Sequence, residues 1–331
     1  MSAIRLAVLG IVLIAPNLLA QSLLSTVPVA NYPQAIAVNP FTNRVYTLEE
    51  PANQITELDA TTGSIATISL GANSQKSLNG ALAIDFFNNK IYAVDGVNNH
   101  LSVMDGTTDG VMQVATGNAP VAAAVNSYTN KIYVTNYGDN TVTVVDGYTL
   151  ATATVNVGSG PLAVTIDADR NRIYVANNGS NTITAIDGRT NTTSVIPTGN
   201  SPFALAVNRI THNIYVANRF GNNVTVISNT GTVIDTVPVD SLPVAIGVNS
   251  VTNRIYVVNE GSNDVTAING ANDTTSIVAA GVAPGEVAVD QIRNKIYVVN
   301  LDGNCLTVID GNTNASTTVG NIGKGVARYC R

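Results

Sequence analysis

The chain has 331 residues, 45% hydrophobic and only 11% charged, a composition that supplies a sizeable core and excludes intrinsic disorder. With 16 basic residues against 22 acidic ones the formal net charge is −6, which argues against nucleic acid and anionic membranes as partners.

The first element is a leader. Met1 to Arg5 is a short basic start, Leu6 to Ile14 is an apolar run, and Leu18-Leu19-Ala20 offers small-residue cleavage before Gln21, the pattern of a secretory signal peptide over residues 1–20. The apolar run stops before Pro16, short of the roughly 20 residues a membrane span needs. Without Arg5, residues 21–331 carry 15 basic and 22 acidic residues, a formal charge of −7. The expected location is secreted, periplasmic or cell surface, with no membrane insertion after cleavage.

A repeat follows. Tyrosines stand at Tyr46, Tyr92, Tyr133, Tyr174, Tyr215, Tyr256 and Tyr297, separated by 46 residues once and then by 41 five times. The extra residues fall around Gly71 to Gly80. Three before each tyrosine stands Asn43, Asn89, Asn130, Asn171, His212, Asn253 or Asn294, and seven before it always Asn or Asp. Seven after it stands Asn53, Asn99, Asn140, Asn181, Asn222, Asn263 or Asn304, and ten after it Thr or Ser every time. Within one unit, four β-rich runs are separated by turn residues, as in Pro120–Val125, Lys131–Thr135, Thr141–Val145 and Thr152–Val157. Four short strands about every 41 residues, seven times over, predict an all-β, seven-bladed β-propeller of four antiparallel strands per blade, a single domain over residues 21–331.

The segment KIYVTN, with its variants RIYVAN, NIYVAN, RIYVVN and KIYVVN, resembles the motif of the YVTN family of β-propeller repeat proteins. That family is found in bacterial and archaeal extracellular and surface-layer proteins. The resemblance covers nearly all of residues 21–331 and implies the propeller fold; its motif residues are framework and imply no chemistry.

Residues 24–38, LSTVPVANYPQAIAV, match IDTVPVDSLPVAIGV at 234–248. They read as an outer fourth strand followed by the entry to blade one, so the outer strand is expected to complete the last blade and close the ring. Residues 315–319 are a rival for that edge. The tyrosine is expected to face the Thr or Ser ten residues on. Gly138, Gly179 and Gly261 are expected to supply a positive φ in a three-residue hairpin. Basic residues two before the tyrosine are expected to pair with the Asp ending the third strand. At the carboxyl end, Cys305 and Cys330 are expected to form a disulfide, since a chain bound for an oxidising compartment favours pairing.

Chemistry is sparse. The histidines His100 and His212 are expected on opposite faces and unable to share a metal, and both read as surface residues. No phosphate loop, nucleophile elbow, metal site or cofactor motif is present in the sequence. What varies is the loop after the motif, four to six residues past each tyrosine. Glu50, Tyr137, Asp139, Arg219, Phe220, Glu260 and Asp302 fall there and are the candidate binding residues. The first expectation is a non-catalytic scaffold that binds a protein or glycan partner of the cell envelope through this loop face. The alternatives are a propeller-type hydrolase or lyase, lactonase-like, with carboxylates and Arg219 at the channel mouth, or a structural envelope component.

Overall fold

The computed structural model describes residues 33–49, 53–71, 81–303 and 305–320. They form seven four-stranded sheets, each antiparallel and built from consecutive strands. The molecule is a seven-bladed β-propeller. Blade three is typical, with strands Pro120–Asn126, Lys131–Asn136, Thr141–Asp146 and Thr152–Asn156 in order from the axis outward. No helix among the described residues is long and apolar enough to cross a membrane.

Packing between blades explains the tyrosines. Tyr133 is fully buried and lies with Val142 and Val144 of its own blade against Ile173, Val175 and Ile186 of the next. Tyr92, Tyr215 and Tyr256 repeat the arrangement against the blades that follow them. The expected pairing is out by one residue: Tyr133 stands opposite Val144, and Thr143 opposite Val134. Tyrosine and threonine therefore point to different faces of the sheet. Burial pushes the Tyr46 and Tyr133 hydroxyls up to about 12, and neither has a hydrogen-bond partner in the protein.

The threonine has another task. Thr143 Oγ1 accepts from Asn136 Nδ2 at 2.9 Å and from the backbone N–H of Gly117, in the connection entering the blade, at 3.2 Å. The same pair of bonds recurs at Thr184, Thr225 and Thr307.

The asparagines carry the unusual backbone. Asn130 and Asn140 have φ of 50° and 57°, and their equivalents among the described residues, His212 included, lie in the same left-handed region. Gly138, Gly179 and Gly261 do not, contrary to expectation. Asn tolerates this conformation better than most residues, because its short side chain bonds locally. Gly138 is small for a different reason: an added Cβ would lie 2.8 Å from Asn118 Nδ2.

The rival segment forms the fourth strand of blade seven, Ser316–Gly320, paired with Cys305–Asp310. Residues 24–31, the leader, the segment 72–80 and Cys330 with its expected disulfide lie outside the described residues. Ile36 and Val38 of the first strand are 41% and 53% exposed, against 9% for Val248 in blade six.

Two substitutions test this account. Tyr133→Phe removes a hydroxyl with no protein partner and should change unfolding free energy by less than about 1 kcal/mol, whereas Tyr133→Ala should cost about 3–5 kcal/mol. Asn140→Ala should cost about 2 kcal/mol, half from the left-handed backbone and half from the lost acceptor, and Asn140→Gly about 1 kcal/mol. Urea denaturation at constant m-value reads both series.

Candidate functional site

A propeller has two mouths, and the repeat lets each be compared position by position. The first is built by the loops between second and third strands together with the connections entering each blade. Here Arg219 of blade five reaches across to Glu260 of blade six, Nη2 to Oε2 at 2.6 Å. Its guanidinium lies 5.0 Å from the centre of the Phe203 ring, an arrangement with cation–π character. Its Nε is enclosed and has no acceptor in the protein. Two of the expected residues are thus brought together.

The others are placed as follows. Tyr137 and Phe220 are exposed on the same loop face. The Tyr137 ring comes close to Gly160 of blade four, so that an added Cβ there would lie 3.4 Å from it. Asp139 braces its own loop, its Oδ2 accepting from the Asn118 N–H at 2.6 Å. Asp302 is exposed on blade seven and makes no ion pair with Arg219. Glu50 lies outside the described residues.

Sequence reasoning missed Glu286. Aligning the innermost strands eleven residues before each tyrosine gives Ala35, Ala81, Ala122, Ala163, Ala204, Ala245 and then Glu286. Glu286 pairs with Val299, close to the end of the strand that meets this mouth. Alanine suits the crowded inner rim; a single carboxylate there is an exception. Its side chain is exposed to the channel, and desolvation by the strands around it raises its pKa above the usual carboxylate range. The signal was present as one acid in a column of alanines.

The second mouth is formed by the hairpins between first and second strands. Five residues before the tyrosine stand Phe41, Phe87, Tyr128, Asp169, Ile210, Val251 and Ile292, and all but Asp169 are exposed large apolar or aromatic side chains. Phe41, Phe86, Phe87 and Tyr128 form a chain of ring contacts with centroids 4.7–5.9 Å apart. A shallow cleft runs between Tyr128, Phe87 and Arg209. At its rim the residue seven before one tyrosine bonds the residue three before the next: Asn39 to Asn89, Asn126 to Asn171, Asn208 to Asn253 and Asn249 to Asn294. Between blades four and five the pair is Asp167 and His212, with Nδ1 to Oδ2 at 3.0 Å. His212 is therefore half-buried and paired with the buried Asp167, not a plain surface residue. His100, beside Asp95 at 3.5 Å, stands at the opposite end of the molecule, as expected.

The basic residues two before the tyrosine sit opposite the expected Asp in register, as Lys131 does opposite Asp146. Lys295 and Asp310 form a 2.7 Å pair. Lys90 and Lys131 instead donate to the carbonyls of Gly147 and Gly188 in the following blades, so these cations also join blades.

No family model and no curated protein sequence matches the chain. Solved structures do. The chain resembles the hydrazine synthase of Kuenenia stuttgartiensis at 17% identity, covering 88% of this chain and 96% of that one, with a TM-score of 0.64. It resembles virginiamycin B lyase from Staphylococcus aureus at 16% identity, over 81% and 91% of the two chains, with a TM-score of 0.67. The dihydro-heme d1 dehydrogenase NirN matches at 13% identity, over 87% of this chain and 65% of that one, with a TM-score of 0.72. Likeness at this level establishes the fold. It also corrects the first expectation, a non-catalytic scaffold: these similar propellers are enzymes.

One outcome follows for Glu286. A carboxyl whose folded pKa is raised costs stability when ionised, a cost present at neutral pH and lost as pH falls below about 4, where it is neutral folded and unfolded. Glu286→Gln should therefore raise Tm at pH 7, and the gain should shrink toward zero in acid.

Proposed function

We propose that this chain is a propeller enzyme of the lyase or hydrolase type, acting on an ester-linked, lactone-like substrate at the mouth that holds Arg219, Glu260 and Glu286. The observation that carries the reading is the single carboxylate, Glu286, at an inner-strand position where every other blade has alanine, on the mouth where Arg219 and Glu260 meet.

The chemistry fits these groups. Opening an ester by elimination or by water attack develops negative charge on oxygen, which a guanidinium held over Phe203 can stabilise. Glu260 fixes the guanidinium across the blade boundary. A carboxyl of raised pKa holds a proton more readily than an ordinary carboxylate, and Glu286 takes the acid–base role. Tyr137 and Phe220 offer apolar and aromatic contact for the rest of the substrate. A lyase likeness supports the class, including a structure of a catalytically inactive histidine variant of virginiamycin B lyase with quinupristin. His100 stands at the same end of the molecule but is paired with Asp95 of its own blade, and Arg219 is paired with Glu260. The KIYVTN motifs and the leader-like residues 1–20 support a YVTN-type propeller working outside the cytoplasm.

Incubation with quinupristin and a panel of lactones, followed by mass spectrometry, tests the reading. A product isomeric with the substrate marks elimination, and one heavier by a water marks hydrolysis. Arg219→Ala and Glu286→Gln should each lower turnover by about 10²–10⁴ while leaving the fold intact. Absence of turnover across the panel, or full turnover by both variants, would sink the proposal.

A further inference from the structure

We propose that Asp167, Asp169 and His212 form a binding site for one divalent first-row transition-metal ion at the second mouth, where it joins blades four and five. The site is separate from the mouth of Arg219 and does not rest on the activity proposed there.

The geometry is the first support. One ligand atom from each of the three side chains lies within 4.8 Å of the other two. His212 Nδ1 stands 3.1 and 3.0 Å from the two oxygens of Asp167. Around a tetrahedral zinc, with metal–ligand bonds of about 2.1 Å, neighbouring donor atoms are about 3.3 Å apart. The spacing that now fits a shared proton thus nearly fits a shared cation. Asp167 is 2% exposed and rigidly placed at the end of the strand Pro161–Asp167, whereas Asp169 is exposed in the following turn and has the freedom to close on an ion.

The repeat supplies the second support. Three before the tyrosine, six blades have Asn and one has His212; five before it, six blades have a large apolar side chain and one has Asp169. These two departures are in different blades. They meet because neighbouring hairpins touch at this position, where four other blade boundaries carry an Asn–Asn bond. A blade pair that needed only the structural bond would keep Asn, as Asn208 and Asn253 do.

Charge and ligand type set the ion. Two carboxylates and a neutral imidazole complement a dication. The imidazole donor suits zinc and nickel and the two carboxylates suit manganese, whereas magnesium and calcium take oxygen donors alone. Arg170 approaches Asp167 at 3.8 Å, the outer limit of an ion pair, on an exposed side chain that can swing into water. Three protein ligands leave at least one position for solvent.

The test uses the full chain after chelation and dialysis, titrated separately with zinc chloride and manganese chloride by calorimetry. One saturable site per chain and a raised Tm are expected, with magnesium and calcium at least about tenfold weaker. His212→Asn and Asp169→Val install the residue types of the other blades, so both variants should fold, with metal-free Tm close to that of the parent. Each should weaken binding by about 100-fold, while His100→Asn leaves it unchanged. No saturable binding, parental binding by both variants, or loss of binding through His100 would overturn the site.

Discussion

Each blade has to pass the chain to its neighbour through the same narrow step, and a left-handed asparagine sets that step. Asn140 turns the chain between second and third strands at φ 57°, and its side-chain oxygen accepts from the N–H of Gly160 in the connection to blade four at 2.8 Å. Its own backbone oxygen accepts from Val157, at the end of the fourth strand. One residue therefore fixes a hairpin, a strand end and the entry to the next blade. The arrangement repeats at Asn99, Asn181, Asn222 and Asn263. An uncompensated N–H at such a buried turn would cost about 1–3 kcal/mol. The tyrosine face can then pack against the following blade at a constant distance.

A ring so constrained leaves little room for change in its blades. Positions that bond or pack across a boundary are held to one or two residue types, because altering one disturbs two blades. Freedom remains where side chains end in the channel or in solvent. Those places are the inner-rim position of Glu286, the loop position of Arg219 and Glu260, and the hairpin position of Asp169. Departures from the repeat at the mouths therefore carry more functional information than the motif that makes the repeat visible.

The architecture was legible because spacing in a solenoid-like array is a one-dimensional signal: seven tyrosines, one period, four β-rich runs. The loop face holding Arg219 and Glu260 was legible too, since variation against a constant background marks it. Contacts between blades were not. The bond from Asp167 to His212 spans 45 residues and depends on how two twisted sheets meet, which no local pattern encodes. The tyrosine register was misjudged by one residue because a four-residue loop containing a left-handed Asn replaced the three-residue hairpin assumed from the glycines. Glu286 was visible as a letter but not as a site, for its meaning comes from six alanines around a shared axis.

The two mouths differ in the kind of chemistry they can support. At the first, charged groups stand on the loops and the inner rim: Arg219 meets Glu260 beside the Phe203 ring, and Glu286 sits on an innermost strand. At the second, exposed apolar side chains surround the rim, and the polar pair Asp167–His212 replaces an amide pair without altering the fold. A seven-fold framework thus separates two tasks along one axis. Change at either end is tolerated because the asparagine and tyrosine contacts between blades bear the structural constraint.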